Sequence, residues 1–127
     1  MSKLNRWWEF VETNYFQKRR VGQFATDEAF RQFQNALLME PEIGAVISGT
    51  GGLRKVRWAD PGRGKGKRGG IRIIYLLLPA VNRIYLLDAY GKDEKDDLSP
   101  RDRKLLAEVV RQISGEATKY RKGRHKL

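Results

Sequence analysis

Residues 49–75, GTGGLRKVRWADPGRGKGKRGGIRIIY, constrain the fold more than any other stretch of the chain. Leu53–Ala59 alternates apolar and polar residues, and Ile71–Leu78 is almost wholly apolar. Alternation marks a strand with one buried face, whereas a short unbroken apolar run marks a strand covered on both faces. A glycine-rich segment joins the two runs, and glycine supplies the backbone freedom that a hairpin loop needs. The expectation is a hairpin whose second strand lies near the centre of a sheet.

The same block concentrates charge. Between Thr50 and Arg72 stand eight basic residues (Arg54, Lys55, Arg57, Arg63, Lys65, Lys67, Arg68 and Arg72) and one acidic residue, Asp60, a net +7 out of +11 for the whole chain. Such density repels itself in the folded state, so it points to a polyanionic partner, RNA above all. Residues 1–49 balance, with six basic and six acidic side chains, and residues 73–98 are slightly negative, with three and five. The last thirteen residues, GEATKYRKGRHKL, carry five basic and one acidic side chain and offer little to bury. We read 1–114 as one domain and 115–127 as a basic, flexible tail, solvated rather than bound to phosphate.

At 127 residues one domain can bury a core without disulfides or structural metal, and the chain has no cysteine. Thiolate catalysis and cysteine-rich zinc sites are thereby excluded, and a reducing cytosol is compatible. No apolar run approaches membrane-spanning length, and Glu9 and Glu12 interrupt the N-terminal segment. A cytoplasmic protein is expected.

Trp7–Thr13 alternates and reads as a first strand, and Asn14–Gln23 as a short helix. Thr26 offers an N-cap ahead of Asp27 and Glu28, and Phe30, Phe33 and Leu37 recur at helical spacing until Pro41 and Gly44. Arg83–Tyr90 is a third strand after the basic block, joined to Ile71–Leu78 by the short link Pro79–Asn82. Ser99 and Pro100 read as N-cap and first helical position. Leu105, Leu106, Val109, Val110 and Ile113 form one stripe, and Gly115 ends the helix. The resulting class is α+β with a small, mainly antiparallel sheet.

Gly64–Gly69 matches GxGxxG, but a strand rather than a helix follows it, and no G-K-[ST] occurs. The match therefore describes a hairpin loop whose Arg63, Lys65, Lys67 and Arg68 can reach a phosphate backbone. Asp93 and Lys95 form the D-x-K half of a metal-dependent nuclease signature, with Asp60 or Asp88 as partner carboxylate. Solvated acids ahead of a helix are the better reading of Asp93, Glu94, Asp96 and Asp97. The only histidine, His125, lies in the tail, which excludes a two-histidine ribonuclease and a histidine-held metal site. Acid–base chemistry on RNA would fall to lysine, arginine, tyrosine or a carboxylate, and lysine becomes a base where cations and desolvation surround it. Lys55 and Arg57 are two apart and share a face, opposite Val56 and Trp58.

GTGGLRKVRW, GKGKRGGIRIIY and RIYLLDAYGKDEKDDLS together resemble the RelE/HigB superfamily of bacterial toxins, nearest the HigB branch, and the resemblance runs from about Phe30 to Val110. It implies a RelE-like fold, a sheet packed against N-terminal helices with a C-terminal helix. It also implies ribosome-dependent mRNA cleavage, neutralisation by an antitoxin often bearing a helix-turn-helix domain, and no metal or organic cofactor. By the same resemblance Arg72 falls on an arginine that stabilises the phosphate in the transition state. Lys55 and Arg57 fall on a basic pair that shares the base and phosphate-holding roles, and Lys92 and Lys95 occupy the region of an acid-catalyst candidate. Ser99 stands near the place where some members carry a base-stacking tyrosine, with Tyr90 the nearest substitute; Arg54 and the loop cations complete the RNA-binding set. The implied reaction is metal-free attack of a 2′-hydroxyl on the adjacent phosphate. Lys55 or Lys92 would take the proton, and Arg57 and Arg72 would offset developing charge. The rival class is a non-catalytic RNA- or ribosome-binding module, for which the same charge, loop and sheet suffice.

Overall fold

The computed structural model describes residues 7–59, 70–91 and 97–125, with side chains through residue 119. Along the chain come β1 (Glu9–Glu12), α1 (Asn14–Gln23), α2 (Asp27–Met39), β2 (Ala45–Val46), β3 (Leu53–Trp58), β4 (Ile71–Leu78), β5 (Arg83–Gly91) and α3 (Pro100–His125). The five strands form one sheet in the order β1-β5-β4-β3-β2. Only β1 and β5 run parallel; the other neighbours are antiparallel. The protein is thus α+β with a mostly antiparallel sheet and a C-terminal helix, as the pattern of apolar runs implies. The two-residue β2 is an addition, too short to carry any periodicity.

Helices and strands start and stop for local reasons. Thr13 Oγ1 accepts from Phe16 N at 3.1 Å and Thr26 Oγ1 from Ala29 N at 3.0 Å, capping α1 and α2. Ser99 and Asp102 cap each other's backbone N–H at 3.0 and 3.3 Å, a reciprocal box that opens α3. The link between β4 and β5 is a short 3₁₀ turn, Pro79–Val81, closed by Asn82 in the left-handed region at φ 54°.

Two clusters sandwich the sheet. Phe16, Phe30, Phe33 and Leu37 of α1 and α2 pack on Val56, Ile73, Tyr75 and Leu86, with Phe33 edge-on to Trp58 at 5.3 Å between centroids. On the other face Leu53, Ile74, Leu76, Tyr85, Leu87 and Tyr90 meet Leu98 and Val110. β4 lies third of five and is buried on both sides along most of its length, which is why its sequence does not alternate.

Two expectations for α3 need correction. The apolar stripe divides: Val110 and Ala117 are buried, Leu106 and Ile113 pack beside the core, but Leu105 and Val109 are exposed. The helix also continues through Gly115 to His125 instead of ending there. Nothing lies within 4 Å of where a Cβ on Gly115 would project, so no close approach demands glycine. The stretch read as a tail is therefore helical in backbone as far as His125.

Candidate nucleic-acid interface

The β3–β4–β5 register decides which charged residues share a face. Arg57 stands opposite Arg72, and Arg72 opposite Tyr90. With strands about 4.8 Å apart, this row spans roughly 10 Å of sheet at the backbone. Lys55 stands opposite Ile74 and, on its other side, Ala45. Ile74 belongs to the α3-side cluster and Val56 to the α1/α2-side cluster. Lys55, Arg57, Arg72 and Tyr90 therefore lie on the α3 face, with Val56 and Trp58 turned to the opposite core.

Tyr90 reaches this face through an irregularity. Ile74 pairs with Asp88 while Tyr75 pairs with Leu86, leaving Leu87 as an extra residue, a β-bulge. Tyr85 and Tyr90 are five apart, and strict alternation would put them on opposite faces. Past the bulge both join the α3-side cluster. Asp88, at the bulge, accepts from Ala89 N at 2.8 Å and pairs with Arg19 of α1 at 3.2 Å, so its carboxylate is engaged with α1.

Exposure separates the members of the row. Arg57 is exposed and Lys55 half-buried. Arg72 is 1% exposed, with Nη1 donating to Gly70 O at 3.3 Å. Tyr90 is 0% exposed within the apolar cluster. Its ring is a core group here, which corrects the expectation that it offers a stacking surface for a base. Arg72 shares the face of Lys55 and Arg57, yet lies deeper than a surface phosphate contact requires.

Lys55 has company that the sequence did not reveal. Its Nζ lies 3.3 Å from Asp97 Oδ1, and Asp97 Oδ2 lies 3.6 Å from Arg103 Nη2 on α3. Asp97 Oδ1 also accepts from Leu98 N at 2.8 Å. That backbone N–H, reinforced by Lys55 and Arg103, holds the Asp97 carboxyl below the usual carboxylate range despite an opposing push from burial. Two shallow depressions, of about 260 and 330 Å³, open on either side, the first reaching Ser48, Asp97 and Arg103, the second Ile43 and Arg57; Lys55 and Ala45 line both. Asp97, read from sequence as a solvated acid, and Arg103 are thus part of the site. Only the meeting of β3 with the start of α3, 42 residues on, exposes that.

Arg54 is corrected in the other direction. It pairs with Tyr75 of the α1/α2-side cluster, so it projects away from Lys55 and Arg57. Its Nη1 donates to Gly44 O at 2.7 Å and Glu42 O at 3.2 Å, a fastening for the segment before β2. Tyr75 pins the same segment, donating to Pro41 O at 2.6 Å and accepting from Gly44 N at 3.0 Å. A Cβ on Gly44 would come within 2.8 Å of the Tyr75 ring, so glycine is required there.

Arg63, Lys65, Lys67, Arg68, Lys92 and Lys95 lie outside the described residues, as do Asp60 and Asp93 of the D-x-K reading. Among the described residues no three His, Asp or Glu side chains converge as a metal site would need, and no helix is long and apolar enough to cross a membrane. What the arrangement can do is bind an anion: Lys55, Arg57 and Arg103 border shallow, open ground that suits a phosphate chain better than a small ligand. No protein-family model matches the chain.

Proposed function

We propose that this chain is a type II toxin of RelE/HigB kind, an endoribonuclease that cuts mRNA on the ribosome and so inhibits translation. One observation carries the reading: Arg57 faces Arg72 directly across the ladder, with Lys55 on the same face. Three cations gathered on one face of the sheet make a local positive field that attracts a polyanion. The ligand of fitting chemistry is the RNA phosphate. Attack by the adjacent 2′-hydroxyl needs a proton acceptor and cations aimed at the phosphate oxygens, and the ribosome would supply the in-line geometry that free RNA seldom visits.

The contacts refine the roles. A lysine becomes a base where cations and burial surround it, whereas Lys55 has a carboxylate partner. Holding phosphate, with Arg57, is the role that fits it. Proton removal then falls to Lys92, which follows β5 directly in sequence. Arg72, beside Arg57 on the next strand, adds its charge beneath the phosphate. The partners in this reading are ribosome-bound mRNA and a neutralising antitoxin with a helix-turn-helix domain; no cofactor enters the reaction.

The burial of Arg72 and Tyr90 supports a second reading, an RNA- or ribosome-binding module without cleavage. Induced expression without a partner separates the two. Growth arrest with messages cut inside translated regions supports the nuclease. Normal growth with intact messages, from soluble folded protein, leaves only the binding module.

A further inference from the structure

A lysine ammonium sits at the end of four rotatable bonds, so Lys55 needs a fixed partner before it can meet a phosphate in one geometry. The carboxylate of Asp97 lies 3.3 Å from Lys55 Nζ and is itself oriented from two further directions. Leu98 N–H donates to it at 2.8 Å and Arg103 Nη2 approaches at 3.6 Å. The backbone behind it is anchored as well: the Leu98 side chain is 5% exposed in the core, and the Ser99–Asp102 box fixes the next turn. Lys55 retains 17% side-chain exposure, with both depressions against it, so the ammonium keeps a path to a ligand while held.

Resting on the reading of this face as an RNA-cleaving site, we propose that Asp97 is a positioning residue for Lys55, with Arg103 as the second cation that steadies its carboxylate. As a fastening of α3 to β3 alone, the contact would contribute little, because Asp97 is 60% exposed and exposed ion pairs are weak. As a competitor for phosphate, Asp97 would slow the enzyme, and its neutralisation would speed cleavage. Positioning makes a third prediction: the carboxylate matters only while Lys55 is present.

The test is single-turnover cleavage of ribosome-bound mRNA by the full chain, comparing wild type, Asp97→Asn, Lys55→Ala and the double variant. Asp97→Asn is expected to lower the single-turnover rate constant about tenfold with little change in the half-saturating concentration, and Asp97→Glu to recover part of the loss. The double variant is expected to be no slower than Lys55→Ala. Equal losses from Asp97→Asn in both backgrounds, or a rate that is unchanged or faster with Lys55 present, overturn the proposal. Wild type that cuts nothing would instead remove the nuclease reading. In that event ¹⁵Nζ relaxation of Lys55 by NMR decides: Asp97→Asn is expected to loosen Lys55 and leave Lys104 unaffected, and an unchanged Lys55 overturns the positioning role.

Discussion

Arg57 and Arg72 oppose each other on neighbouring strands, one exposed and one 1% exposed. If the pair serves phosphate, Arg72→Ala slows single-turnover cleavage about 100-fold or more. Arg72→Lys recovers only part, because a point charge lacks the planar fork of the guanidinium. Since Arg72 is buried, its truncation also lowers the melting temperature, so rates are compared on folded protein. A stability loss with a near wild-type rate removes Arg72 from the reaction. Tyr75 makes a contrasting prediction on the opposite face. Its hydroxyl satisfies Pro41 O and Gly44 N, so Tyr75→Phe costs about 1–3 kcal/mol in urea unfolding at neutral pH. Burial raises the phenol above its ordinary value of 10.0, against smaller opposing effects of the Gly44 N–H and Arg54. The folded phenol keeps its proton where the unfolded one loses it, so this stabilisation is complete below about pH 10 and is lost as pH rises through the folded value. The Phe variant should lose less stability than wild type over that alkaline range.

At the scale of elements, α3 and β5 show how pattern and packing divide the work. Gly115 has a glycine's usual meaning at a helix end, yet α3 continues through it with open space around its Cα. Gly115→Ala should therefore stabilise the protein by roughly 0.5–1 kcal/mol, the propensity difference in a helix interior. A loss on thermal or urea unfolding would indicate a left-handed cap instead. In β5 the extra residue Leu87 sets the parity of everything after it. Deleting it would leave Tyr85 and Tyr90 four apart, both on the α3 face by plain alternation, so the deletion should close the bulge and keep the pairing with β4. One alanine inserted after Ala89 would instead turn Tyr90 toward α1 and α2 and should disrupt packing severely. The cap of α3 matters for the site as well, because Leu98 supplies the N–H that orients Asp97 just before it.

For the whole molecule, a net charge of +11 makes association with a polyanion long-ranged and salt-dependent. Binding to purified ribosomes should weaken steeply as salt rises, and Arg57→Ala should reduce that slope by about one unit. Arg54→Ala should leave the slope nearly unchanged and lower stability instead, because its guanidinium bonds backbone carbonyls before β2. Cleavage should persist in excess EDTA once ribosome integrity is controlled, and leave a 2′,3′-cyclic phosphate or its 3′-phosphate product. Strict magnesium dependence of the chemical step with 3′-hydroxyl ends would favour the D-x-K alternative.

Hydrophobic period determined β3, β4 and β5, and cap residues the starts of α2 and α3, because burial on one face or two and a side-chain oxygen at a helix start both leave their mark in neighbouring residues of the same segment. It also placed Lys55 and Arg57 on one face, which follows from a two-residue repeat without any tertiary information. Three features had no such local trace. The bulge at Leu87 moved Tyr90 onto the charged face and into the core. The opposition of Arg57 to Arg72 depended on a pairing register. Asp97 met Lys55 only because α3 packs across the sheet. Each is a relation between distant segments, so it is fixed by how the surfaces fit when the chain closes, and a sequence read along its length cannot contain it.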